Sequence, residues 1–507
     1  MQLIDLGALL ALLLALGALV LRRRSLVWAI LALGLSVAAV VMLHWQAVPT
    51  VVVSLVALLL VGIRARWRRG GYLRPARWRR VVAWIAVVVT VVVVAAPYYL
   101  FPLFSLPEPD GAYAIGTTRI ELVDPARHGV LEDAPTQARR MTVQLWYPAE
   151  PGSKQPLARY LPVEHIRSEG ASLAENLGYQ PYQLLHLAAI PTHSRLQAEP
   201  SRDGHFPLVL FNHGYRMYPA QNTPLFERLA SHGYVVASIS HPYDSARIDF
   251  ADGSSAPTAP FQVSPALLEV MGKLVPKLDV ENWTALFPAY ARAVREDRLS
   301  RSEQAWEADT AFVLATLEKG GGSPLVGRLT GRIDFARLAY GGMSFGGGVA
   351  VKSCEAEPRC HAAFSLDGVV YDPAMYDRDV RAPLLLLHSD WVEHPLFLGQ
   401  PRTADVHPMD FAYRRWRSDD AATDDFRMRV RTSAHLAMTD LVHLTRWPGR
   451  EMFYGTIAPR EMEGVLDDFS LAFLDTYVRG RDTGFPVAQL ARWPLVERHD
   501  PRGVGLR

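Results

Sequence analysis

Four apolar stretches fill the first 104 residues: 3–21, 26–43, 47–63 and 81–104. Each approaches the length a helix needs to cross a hydrocarbon core about 30 Å thick, and the third is the shortest. A cleaved secretory signal begins with basic residues and ends in small ones. This chain starts Met-Gln-Leu-Ile-Asp, and its first basic cluster, Arg22–Arg24, comes after the apolar run. The expectation is a retained multi-pass anchor of about four transmembrane helices over residues 1–104, with the lipid bilayer as a partner.

Charge supplies the orientation. Residues 1–104 carry eleven Arg against the single acid Asp5, while the remaining residues carry 42 basic and 50 acidic side chains. Arg22–Arg24 separate the first two stretches, and eight Arg fall between the third and fourth, within 64–80 beside Trp67, Tyr72 and Trp78. Arg-rich loops stay cytoplasmic. The N-terminus and everything after Phe104 are therefore expected on the extracytoplasmic side. Only Asp5 is acidic or basic within a stretch, which argues against ion or proton transport. The acidic remainder argues against a nucleic-acid partner, whose binding depends on neutralising phosphates.

From residue 105 the pattern changes. Residues 105–139 are rich in Pro, Gly and polar side chains and read as a connector. Beyond it, 141–147, 206–212, 234–240, 338–343, 362–366 and 383–388 are apolar or β-branched runs bounded by turn residues, as strands are. Helical spacing over 223–232 closes at Gly233, and over 461–479 at Gly480. Strands alternating with helices predict a mostly parallel sheet covered by helices on both faces over residues 140–507. A Pro/Ser-rich then helical segment, 251–330, interrupts the alternation and reads as a cap or lid insertion.

Gly342-Met343-Ser344-Phe345-Gly346 satisfies G-x-S-x-G, with a strand entering it and a helix leaving it. That corner is a nucleophile elbow, where glycines let a strained serine project at the sheet edge. A serine hydroxyl needs a base, and the base needs a carboxylate to orient it; on this scaffold they follow in the order acid, then His. Asp367 ends one strand beside Gly368, and Asp390, ending the next, is the alternative acid. His435 follows both acids; His443 competes with it but falls where a helix begins. His361, His388 and His394 read as structural or exposed. The oxyanion of an acyl-transfer intermediate needs two backbone donors. Phe345 N–H and, from the loop Asn212-His213-Gly214-Tyr215, Tyr215 N–H are the candidates; His213 precedes the serine and reads as structural.

The stretches Val-Gln-Leu-Trp-Tyr-Pro-Ala (143–149), Pro-Leu-Val-Leu-Phe-Asn-His-Gly (207–214), Gly-Met-Ser-Phe-Gly-Gly (342–347), Phe-Ser-Leu-Asp-Gly (364–368) and 433–440 resemble the plasma-type platelet-activating-factor acetylhydrolases and their bacterial lipase relatives. The resemblance runs colinearly over roughly 110–480. It implies an α/β-hydrolase fold and hydrolysis of carboxylic esters without metal or other cofactor, typically of short or oxidised acyl groups on phospholipids. The family's acid lies 23 residues beyond its serine, which is Asp367 here. The multi-span N-terminus and the 251–330 segment depart from the family's pattern.

Remaining signals are weaker. His388-Ser-Asp-Trp-Val-Glu-His394 has metal-ligand residue types without a metal-site spacing, and Gly320–Gly322 lacks a phosphate-loop Lys. Cys354 and Cys360 are a candidate disulfide in an oxidising compartment. The leading expectation is a membrane-tethered serine esterase or lipase acting through an acyl-enzyme on an ester or phospholipid. An acyltransferase, or a catalytically idle fold serving as a membrane receptor, are the alternatives.

Overall fold

A computed structural model describes residues 2–21, 25–67, 77–131, 136–376, 378, 380–394, 406–413 and 424–500. The chain divides into two compact units. One combines Met1–Ser105 with Arg159–Pro191 and His443–Pro448; the other comprises Leu106–Ala158, Thr192–Val442 and Gly449–Arg507.

The first unit contains four apolar helices, α1 (Leu3–Val20), α2 (Leu26–Val41), α3 (Val48–Trp67) and α4 (Arg77–Leu100). Small residues recur where they pack together: Ala11 and Ala32 share one buried cluster with Leu12 and Val94, and Ala15, Ala29 and Ala57 form another. Small side chains let helix backbones approach closely where water supplies no hydrophobic drive. The outward faces expose Leu10, Val27, Val52, Leu59, Val88 and Val92, which suits a lipid solvent. Three of the helices are long and apolar enough to cross a membrane. The expectation that the third stretch is shortest is corrected: α3 has 20 residues and α2 has 16. The helix runs on through Arg64 and Arg66 because long Arg side chains can reach away from an apolar stem, and Arg64 donates to the Leu19 carbonyl at 2.8 Å. Arg22–Arg24 and Tyr72 lie outside the described residues.

The second unit is built on one sheet. Its strands are β1 (Ala114–His128), β2 (Ala138–Ala149), β3 (Leu157–Arg159), β4 (Pro191–Leu196), β5 (Phe206–Asn212) and β6 (Val235–Ile239), then, after a small hairpin of β7 (Ile248–Asp249) and β8 (Ser255–Ala256), β9 (Ile333–Met343), β10 (Cys360–Leu366), β11 (Leu384–His388), β12 (Asp425–Val430) and β13 (Val496–Arg498). The order across the sheet is β13-β12-β11-β10-β9-β5-β6-β2-β1-β4-β3. From β6 to β12 every neighbouring pair is parallel, while β1, β2 and β13 add antiparallel pairings. Strands β5 and β6 are buried throughout, as parallel strands covered on both faces must be. Helix Thr223–Ser231 packs with Pro459–Tyr477, and Arg298–Glu318 with Phe345–Ala356. This is the mostly parallel, helix-covered sheet that the alternation of elements anticipates, in the α/β-hydrolase arrangement that the family resemblance implies.

Two expected segments come out differently. Residues 105–139 contain the 15-residue β1, whose alternating burial pairs it along β2 in place of a free connector. The 251–330 segment opens with β8 and helices Pro265–Leu274 and Val280–Glu296, but Arg298–Glu318 buries Trp306, Asp309, Val313 and Leu317. It is the crossover helix between β6 and β9, and only the part before it stands outside the alternation. Cys354 and Cys360 form a disulfide with Cα atoms 5.3 Å apart.

Candidate active site

Strand β9 ends at Met343, and Ser344 turns the chain into helix Phe345–Ala356 with φ 55° and ψ −123°. A β-carbon on Gly342 would sit 2.0 Å from the Gly346 carbonyl, and one on Gly346 would sit 2.1 Å from the Asn212 carbonyl. Neither position admits another residue, so the G-x-S-x-G spacing is a packing requirement of the corner. The Ser344 amide donates to the Leu366 carbonyl at 2.9 Å, which ties the elbow to the end of β10.

The next residue beyond β10 is Asp367, itself at φ 52°. Its Oδ2 accepts from His435 Nδ1 at 2.7 Å and from the Ser389 hydroxyl at 2.7 Å; Oδ1 accepts from the Ser389 amide at 2.9 Å. Burial alone would raise this carboxyl, but the neighbouring His388 and His435 imidazoles, the second hydrogen-bonded to it, hold it well below the usual carboxylate range. An ionised Asp367 accepts the hydrogen bond of the His435 Nδ1–H, leaving Nε2 to accept. The Ser344 hydroxyl lies 2.8 Å from that Nε2. Serine, imidazole and carboxylate, 91 and 68 residues apart in the chain, are thus brought into one hydrogen-bonded line.

The competing residues sit elsewhere. Asp390 Oδ2 accepts from the Thr432 amide at 2.9 Å, and its own amide donates to the Ser433 carbonyl, so it braces the loop that leads to His435. His443 stacks on Phe104 with ring centroids 5.0 Å apart. His213 is buried, donates from Nδ1 to the Gly214 carbonyl at 2.7 Å and is driven by burial to about 3, so it stays neutral. His361 is exposed and bonds the Arg359 carbonyl, while the His394 amide caps onto the Asp390 carbonyl. His388 is buried with Nδ1 3.8 Å from Asp367 Oδ1. Ligand atoms of Asp367, His388 and His407 lie within 4.8 Å of one another, the residue types that hold a metal, although the Asp367 oxygens are already engaged by Ser389 and His435.

The loop after β5 lies against the serine: a β-carbon on Gly214 would be 3.6 Å from Ser344 Cβ. Among the described residues, neither the Tyr215 nor the Phe345 amide donates to a protein acceptor. The Phe345 amide also opens a helix, whose N-terminus favours negative charge. Several supports are invisible in the sequence. The Tyr215 hydroxyl donates to Asp244, which also accepts from Trp306 Nε1 at 3.0 Å and Arg298 at 2.9 Å. The Asp244 carbonyl accepts the Arg216 amide. Gln221 Oε1 receives the Gly214 amide, while the Gln221 carbonyl receives the Asp440 amide, linking this loop to the one after His435. Ser389 was likewise missed: a neutral hydroxyl beside the more conspicuous Asp390 carries no signal of its own.

Comparison with known proteins agrees with the fold. A family model described as Chlorophyllase matches residues 181–245. The platelet-activating factor acetylhydrolase of Cavia porcellus is 22% identical over 308 residues, 57% of this chain and 61% of that protein; the Gallus gallus protein is 22% identical over 54% and 62%. The chain thus spans about three fifths of the length of these relatives. Among solved structures, the ferulic acid esterase from Streptomyces cinnamoneus aligns with a TM-score of 0.55 and 26% identity, covering 78% of this chain and 98% of that one. The chain is an α/β-hydrolase-superfamily protein, with a fold of the hydrolase and esterase type distantly related to these proteins and a block of apolar helices at its N-terminus.

Proposed function

We propose that this protein is a membrane-tethered serine carboxylic-ester hydrolase with Ser344, His435 and Asp367 as its catalytic residues. The observation that carries the reading is the unbroken line from Ser344 Oγ through the His435 imidazole to Asp367, with contacts of 2.8 and 2.7 Å. Ser344 Oγ attacks the ester carbonyl as its proton passes to His435 Nε2. Asp367, held ionised, steadies the imidazolium through Nδ1. Negative charge on the former carbonyl oxygen falls to the Tyr215 and Phe345 amides. When the tetrahedral intermediate collapses, the C–O bond to the alcohol breaks and His435 returns its proton to the leaving oxygen. A water then repeats the sequence on the acyl-enzyme and releases the acid. The helices α1–α4 are the multi-pass anchor, and the second unit is extracytoplasmic. Phospholipids with short acyl groups are the substrates that the acetylhydrolase relatives suggest.

The test is labelling of the full-length protein by a fluorophosphonate probe alongside p-nitrophenyl ester hydrolysis. Ser344→Ala is expected to abolish both while leaving the melting transition in place. Retained labelling at another serine would remove Ser344 from the role.

A further inference from the structure

The anchor unit contains more than the N-terminal helices. Residues Arg159–Pro191 and His443–Pro448, distant in sequence, pack with them. Their attachments collect at one end of the bundle, where α1 and α3 begin and α2 and α4 finish. Trp45, in the α2–α3 turn, donates from Nε1 to the Gln183 carbonyl at 3.1 Å and to His186 Nδ1 at 3.2 Å. Burial drives His186 down to about 3, so its imidazole is neutral and able to accept. The Trp45 ring meets Phe101 and Tyr182 edge-on at 5.4 and 5.3 Å. Beyond the end of α4, the Leu100 carbonyl accepts from both the Thr445 hydroxyl at 3.0 Å and the Arg446 amide at 2.7 Å. The Arg446 guanidinium lies over the Tyr99 ring.

Beside these contacts, Tyr99, Tyr182 and Trp447 each remain more than half exposed, as does Val163 within the 159–191 segment. The Arg-bearing ends of α3 and α4 are at the opposite end of the bundle. Tyr and Trp gather where a spanning helix leaves the hydrocarbon and meets the headgroups, and exposed apolar area there is covered by lipid. We propose that Arg159–Pro191 and His443–Pro448 form a collar seated in the headgroup region of the leaflet at that end, with the bilayer as its partner. The surface is continuous with the apolar faces of α1–α4, which are themselves lipid-facing. The collar is also joined covalently to the site, because His443 follows His435 by only eight residues. The proposed hydrolase, on whose reading this extension rests, is thereby directed to esters resident in the bilayer rather than to esters free in water.

The test uses full-length protein in phosphatidylcholine vesicles. Since Cys354 and Cys360 are paired, Trp447→Cys offers a single thiol for a fluorescent label. Lipids carrying a nitroxide near the headgroup are expected to quench it, and aqueous iodide is not; the opposite pattern overturns the collar. In parallel, hydrolysis of a vesicle-held short-chain phosphatidylcholine is compared with that of p-nitrophenyl butyrate. The ratio of the two rates should fall about fivefold or more in Tyr182→Ser/Trp447→Ser and be kept by Tyr182→Trp/Trp447→Tyr. An unchanged ratio in the serine variant overturns the substrate assignment. Wild-type protein inert on both esters and unlabelled by a fluorophosphonate would defeat the hydrolase reading, while the quenching result would still decide the collar.

Discussion

At the scale of single residues, the acid is the informative choice, because Asp367 and Asp390 end adjacent strands. Both are buried, and both support the loop bearing His435, but in different ways. Asp367 touches the imidazole and holds its tautomer, whereas Asp390 holds the Thr432 amide three residues earlier. Asp367→Asn removes the negative charge facing Nδ1 and is expected to lower kcat by about 10³–10⁴-fold with little change in KM. Asp390→Asn keeps an acceptor for the Thr432 amide and should cost about tenfold at most, less than a proton-transfer partner contributes. Steady-state kinetics of the two variants decides; a dead Asp390 variant reverses the assignment. The candidates Ser344, Asp367 and His435, which the structure brings into hydrogen-bond contact, were legible because the elbow points to the first and chain order after a strand narrows the other two. Ser389 and Gln221 were not, because their roles arise only when separate loops meet.

At the scale of elements, the strands of the parallel centre could be read from their continuous apolar character, but β1 could not, and Arg298–Glu318 could be read as helical but not as the buried crossover. β1 carries Arg119, Glu121 and Asp124 among its apolar positions, as an antiparallel strand toward the sheet's edge can. Arg298–Glu318 conceals its burial under polar side chains that are satisfied internally: Asp309 bonds Arg139 and His241, and Thr310 bonds Asn212. Glu303 on the same helix accepts from the Tyr371 amide at 3.1 Å, fixing the segment after Asp367. Burial pushes its carboxyl up to about 8 despite the opposing charge of Lys352. A carboxyl raised in the folded state favours folding fully below its unfolded value, and that contribution is lost as pH rises through the folded one. Wild-type thermal stability should therefore decline between about pH 4.5 and 8, in the window set by this shift. Glu303→Gln, which cannot ionise, should flatten that decline and melt higher than wild type near the upper limit. Parallel slopes in the two proteins would mean that Glu303 does not titrate there.

At the scale of the whole molecule, the prediction concerns which side of the membrane the catalytic unit occupies. Arg64 at the end of α3 bonds the Leu19 carbonyl at the end of α1, so those two helices finish together, at the end where α4 begins with Arg77, Arg79 and Arg80. Basic ends of this kind remain in the cytoplasm. On the proposed topology, four crossings return the chain to the side on which it started, and the 403 residues after Phe104 are expected to be exported. The Cys354–Cys360 disulfide points the same way, since such bonds persist in oxidising compartments. The count depends on α2, whose 16 residues rise only about 24 Å against a core of about 30 Å. Ser25, Met42 and Leu43 beside it add apolar or small residues, and a bundle held by its longer neighbours tolerates a short member through local thinning of the bilayer. An alkaline phosphatase fused after Arg507 should be active, and a reporter that works only in the cytoplasm should be silent. The reverse result would leave an odd number of crossings, with α2 the helix that fails to cross, and would place Ser344 in the cytoplasm, where the disulfide would be reduced.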